Sequence, residues 1–148
     1  MQLFPTSALT AMKGPEIKRR IDAHREWKAS EGEEGERADF SGADLDGKSL
    51  CYHDLSGAVF EEASLEEVRF RFADLSGANF DGANLTGANF WGADFESADL
   101  GGASFEDAEL REAKARAEDF LDLNDESIAR AFEDAEDTEI QRTTIETI

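Results

Sequence analysis

From Ala38 to Leu110 the chain repeats every five residues without a slip. The centres are Phe40, Leu45, Leu50, Leu55, Phe60, Leu65, Phe70, Leu75, Phe80, Leu85, Phe90, Phe95, Leu100, Phe105 and Leu110, all Phe or Leu. Two places before each centre stands Ala in twelve of fifteen units, the exceptions being Lys48, His53 and Val68. A period of five fits neither a helix nor a flat strand. Self-similarity at a short fixed period marks a stacked-repeat architecture, in which each unit buries its apolar side only against its neighbours.

The residue types give the geometry. A large apolar centre and a small Ala point to one axis, and the positions between them, rich in Asp, Asn, Ser, Glu and Gly, face water. Gly stands two after the centre in eight units, where a chain that turns every five residues needs permissive backbone angles.

This pattern resembles the pentapeptide-repeat family, with its motif A-(D/N)-(L/F)-X-X, as in Ala78-Asn79-Phe80-Asp81-Gly82 and Ala83-Asn84-Leu85-Thr86-Gly87. The resemblance covers 38–110 and implies a β fold, a right-handed quadrilateral β-helix with four units per coil. Fifteen units then make just under four coils, roughly 18 Å at ~4.8 Å per coil.

The flanks read as α-helical caps and tails. Residues 1–14 form a loosely apolar arm. Residues 15–37 form an N-terminal capping helix and lead-in, with Pro15 at the start and Ile17, Ile21, His24 and Trp27 along one side. After Leu110 the register fails, since Ala115 and Arg130 stand where Phe or Leu belongs. Residues 111–137 read as C-terminal helices and 138–148 as an extended tail.

One cysteine, Cys51, excludes an internal disulfide and fits a reducing compartment. The start lacks a signal-peptide pattern and no apolar run approaches a membrane span, so a cytoplasmic protein is expected. The net charge of −20 is uneven. Residues 1–35 balance six basic against six acidic, 36–110 hold four against seventeen, and 111–148 five against twelve. Such a body repels nucleic acid and anionic membranes and attracts a basic partner.

Little in the sequence points to catalysis. No Gly-rich phosphate loop, nucleophile elbow or Cys/His cluster is present, so neither an enzyme nor a cofactor nor a metal is expected. His53 and Lys48 read as polar residues tolerated where the first coil meets its cap. Acidic pairs such as Glu61-Glu62 and Glu66-Glu67 stand on outward corners, where solvated charge is ordinary.

With four units per coil, residues twenty apart stack, and the chain sorts into four sides. Sides one, two and four read as purely acidic. Side three carries Tyr52, Arg69, Arg71, Phe72, Trp91 and Arg111, residue types enriched at interface hot spots. There Arg71, Trp91 and Arg111 fall in one column and are read as a candidate cation–π ladder. The expected function is therefore a non-catalytic protein-interaction or scaffold module with an unidentified protein partner, as an adaptor or as a subunit of a larger assembly. A homo-oligomer would form through the C-terminal helices or tail. The resemblance implies an alternative, because some family members mimic B-DNA, bind DNA gyrase or topoisomerase IV and are associated with quinolone resistance. Glu61, Glu62, Glu66 and Glu67 are the candidate acidic surface for that role.

Overall fold

A computed structural model describes residues 10–114. Within it the five-residue register closes into a four-sided β-solenoid. Parallel bridges join residues twenty apart on every side: Asp39–Val59–Asn79–Asp99, Asp44–Ser64–Asn84–Ser104, Ser49–Arg69–Asn89–Glu109 and Asp54–Asp74–Asp94–Lys114. Each centre from Phe40 to Phe95 donates its N–H to the coil above, as Phe40 does to the Val59 carbonyl at 2.7 Å. The next residue twenty along donates back, Val59 to the Ala38 carbonyl at 3.0 Å.

The turns explain the motif. The Ala that opens each unit donates to the preceding centre's carbonyl, as Ala43 does to Phe40 at 3.0 Å. The residue two after the centre has positive φ, the mark of a type II turn. Asp or Asn before the centre accepts the N–H two residues on: Asp54 from Ser56 at 3.0 Å, Asn79 from Asp81 at 2.9 Å, Asn89 from Trp91 at 3.0 Å. Part of the acidic composition is thus turn chemistry, a carboxylate or amide oxygen closing a local ring.

All fifteen centres are buried, and the Ala residues two before them lie at 6% exposure or less. Phe40, Phe60 and Phe80 form one stack, with centroids 5.2 and 4.9 Å apart and planes 13° and 4° from parallel. Phe70 and Phe90 form a second, meeting the first edge-on, Phe60 against Phe70 at 85°. Offset stacks crossed by edge contacts suit the ring quadrupole.

The solenoid runs further than the sequence reading placed it. The ladder reaches Lys114 and Ala113 is fully buried, so 111–114 continue the fourth coil rather than opening the C-terminal helices. Ala113 keeps the small inward residue and Glu112 keeps the left-handed turn at φ 62°, which suffices without a recognisable next centre. Lys114 therefore stands on side four, which is not purely acidic. The rest of the segment expected to form C-terminal helices, the tail at 138–148 and residues 1–9 of the arm lie outside the described residues.

Two elements precede the repeats. Strand β1 (Thr10–Ala11) pairs in parallel with β2 (Ala43–Asp44) in the first coil, and the Met12 N–H continues the pairing to the Asp44 carbonyl at 3.0 Å. Helix α1 (Gly14–Ala29) begins with Pro15 in its first turn and buries Ile17, Ile21 and His24, the two isoleucines joining the same apolar core as the repeat centres. Trp27 is half-buried, its ring in contact range of Gly57. After α1 the lead-in passes flush against the helix at Gly35, where a Cβ would lie 2.3 Å from the Ala23 carbonyl oxygen, so only glycine fits.

His24 fastens α1 to the solenoid. Its Nδ1 accepts the Ala38 N–H at 3.0 Å and its Nε2 donates to the Ser56 carbonyl at 2.9 Å, which fixes the neutral tautomer. Burial holds its pKa below the ordinary histidine value. Arg20 also donates to the Asp39 carbonyl, and Arg37 to the Gly57 carbonyl at 2.5 Å.

Candidate functional site

Side three departs from the other sides at its turns. In the first two coils the left-handed position holds Tyr52 at φ 65° and Phe72 at φ 57°, where Gly is the favoured residue. Tyr52 is 74% exposed and Phe72 42%, the exposed large hydrophobics among the described residues. The two rings stack at 5.3 Å and 17°, and Phe72 meets Trp91 edge-on at 4.9 Å. One coil up, Gly92 makes room for the ring, since a Cβ there would lie 2.7 Å from the Phe72 Cδ1.

The arginines split. Arg71 lies over the Trp91 ring at 5.4 Å, as the column predicts. Arg111 does not complete a sandwich but turns to Glu109 at 3.7 Å. Its carboxylate acceptor is two residues away, and an ion pair at that range competes well with the half-buried Trp91 ring. Among the described residues no ion pair joins Arg69 or Arg71 to a carboxylate. All six side-three residues singled out in the sequence thus fall on one side, with the aromatic step Tyr52–Phe72–Trp91 at its centre.

The acidic candidates lie elsewhere and are less free than their sequence suggests. Glu61, Glu62, Glu66 and Glu67 are exposed. Yet the Glu62 carboxylate folds onto Gly82, the Glu67 stem lies on Gly87, and Glu66 Oε1 accepts the Asn84 side-chain amide at 3.0 Å. Below them Asp46 accepts from the Ser64 hydroxyl at 2.6 Å and the Glu66 N–H at 2.9 Å. Of these carboxylates, Asp46 and Glu66 hydrogen-bond polar groups of the next coil, while Glu62 and Glu67 lie against its glycines.

Lys48 and His53 take on a different aspect in three dimensions. Both are half-buried and line a groove of about 380 Å³ between α1 and the first coil, floored by Ile17 and Ile21. Burial, and then the nearby Arg25, hold the His53 pKa below its ordinary value. The signal was present in the sequence as the break from Ala at these positions, but the groove depends on where α1 crosses. Among the described residues no group of three His, Cys, Asp or Glu is placed to hold a metal ion.

Family models for pentapeptide repeats match residues 54–92 with eight copies and 75–114 with nine. The chain is 39% identical to the crystal structure of Rfr23, a pentapeptide repeat protein from the cyanobacterium Cyanothece 51142, with a TM-score of 0.53. That match covers 53% of this chain and 54% of the other, so the chain spans about half the length of this relative. QnrB1, a plasmid-mediated fluoroquinolone resistance protein, is 31% identical over 52% of this chain and 43% of its own, with a TM-score of 0.43. HetL of Nostoc sp. strain PCC 7120, a pentapeptide repeat protein involved in regulating heterocyst differentiation, is 25% identical over 71% and 45%, with a TM-score of 0.37. A search of curated proteins finds no match.

Proposed function

Residues 54–114 place this chain in the pentapeptide-repeat family, and from that premise we propose that it is a non-catalytic protein-interaction or scaffold module that docks its partner on side three. We also assign it the right-handed sense of the family, with α1 as the cap over the first coil. The observation that carries the reading is the exposed aromatic step. Tyr52 and Phe72 occupy left-handed turn positions that bulky side chains seldom adopt, and they leave apolar rings in water. Folding gains little from such rings, whereas rigid aromatic anchors beside unpaired arginines suit a binding face. The described residues contain no helix long and apolar enough to cross a membrane, and a cytoplasmic protein partner is proposed.

The test is a pull-down from the native host with mass spectrometry, run in parallel with wild type and Trp91→Ala. Loss of one specific partner from the variant, with a melting temperature nearly unchanged, is the expected result. A partner retained by both Trp91→Ala and Arg71→Glu removes side three from consideration.

The alternative, an acidic mimic of DNA acting on gyrase or topoisomerase IV, draws on the exposed Glu61, Glu62, Glu66 and Glu67. The folding back of Glu62, Glu66 and Glu67 onto the ladder favours the docking reading over it.

A further inference from the structure

Resting on side three as the docking face, we infer that its occupant is an acidic peptide segment bearing aromatic side chains, contributed by a different protein. The strip that would receive it begins at the α1 groove and climbs the first three coils.

At the lower end the groove is cationic. Lys48 and His53 line it together with Lys18 and Arg25, against the single carboxylate of Asp22. That carboxylate already serves Lys18 at 2.7 Å and Arg25 at 3.6 Å, which leaves Lys48 without an acidic partner among the described residues. The backbone there is open as well. Ser49 lies on the groove, and neither its N–H nor its C=O takes part in a hydrogen bond among the described residues. The equivalent edge on side two is covered by β1, so the first coil accepts an added strand in one place and offers a free edge in the next.

Above the groove the outward residues Ser49, Cys51, Tyr52, Arg69, Arg71 and Phe72 include no carboxylate. The net charge of −20 favours a basic partner for the body as a whole, but this local excess of cations selects a short anionic segment that contacts side three alone. The aromatic step beside the arginines selects planar or apolar side chains over a bare acidic run. A second copy of this chain is disfavoured, since two bodies of charge −20 repel. Nucleic acid would meet the same repulsion from the acidic sides.

The probe is a fluorescein-labelled ten-residue peptide alternating Glu and Phe, with a Lys–Phe counterpart and a labelled single-stranded DNA decamer, titrated by anisotropy into the full chain. The Glu–Phe peptide should bind, more weakly as salt rises. Arg71→Glu and Lys48→Glu should each lower its affinity by about tenfold while circular dichroism and melting stay unchanged. Absence of Glu–Phe binding, binding indifferent to both variants, or preferential binding of the DNA overturns the inference. If the Glu–Phe peptide fails while Trp91→Ala still loses the host partner, the acidic class of occupant is wrong and the docking face stands.

Discussion

Tyr52 and Phe72 show what a single position can reveal. The sequence marks the place two after each centre as one that wants glycine, and the structure finds positive φ there whether or not glycine is present. Aromatic residues at that place are therefore a departure readable from sequence. That Phe72 lies on Gly92 is not readable, because it depends on the ring's rotamer. Gly92→Ala would place a Cβ 2.7 Å from that ring, on backbone at φ 73°, and should cost more than about 1 kcal/mol. It should also shift Trp91 emission as Phe72 moves off the indole edge, and an unchanged spectrum would contradict the stacking. The inward assignment was legible to the residue, since each centre faces the axis. Phe80→Asp should accordingly cost more than about 4 kcal/mol by burying a carboxylate between the Phe60 and Phe95 rings, whereas exposed-side changes such as Asp81→Ala should stay within about 0.5 kcal/mol. Thermal melts of the two variants decide the matter.

Among elements, α1 was legible and β1 was not. Pro15 and the spacing of Ile17, Ile21 and His24 announce a helix with one apolar side, but two residues of strand carry no periodicity, and their pairing with Ala43–Asp44 depends on where the chain lies before α1. Nor does sequence disclose that His24 joins both of its nitrogens to the backbone. That joint gives the helix a pH dependence. The folded protein holds His24 neutral, with Asp54, Lys28 and Arg37 as its charged surroundings, and burial sets its pKa below the unfolded value of about 6.5. As pH falls below that value the unfolded chain takes up the proton first, so the stability contributed by the neutral His24 is present above about pH 6.5 and is lost as pH falls toward the lower folded pKa. His53 adds in the same direction. Asp39, held low by the Ser41 hydroxyl and N–H, adds a further loss only below its unfolded value of about 3.9. His24→Phe should lose about 1–3 kcal/mol at pH 7.5, leaving the Ala38 N–H and Ser56 carbonyl unpaired, and should flatten the decline between pH 6.5 and 5. Melting curves across that range with the wild-type slope intact in the variant would remove His24 as its source.

For the whole molecule, charge and length set what the surface can do. Among the described residues the coils rise roughly 19 Å at ~4.8 Å each, the height of about five or six base pairs of B-DNA. Part of the acidity closes turns or bonds across the ladder, and both sinks follow from side-chain reach that no repeat register encodes. We therefore predict that the purified protein leaves gyrase supercoiling uninhibited at low salt. Salt-sensitive inhibition abolished when Glu61, Glu62, Glu66 and Glu67 are all replaced by Gln would reverse the ranking of the two functions. The division of the surface into acidic sides and one aromatic, arginine-bearing side was legible once residues twenty apart were taken as neighbours. The ladder's reach to Lys114 and the turning of Arg111 to Glu109 were not, because each depends on a neighbour's position rather than on the register. The most direct measurement is hydroxyl-radical footprinting of the chain bound to the partner captured from its host. The account predicts protection of Tyr52, Phe72 and Trp91 with Glu61, Glu62, Glu66 and Glu67 as reactive as in the free chain, whereas protection of those glutamates with the three rings left open would contradict it.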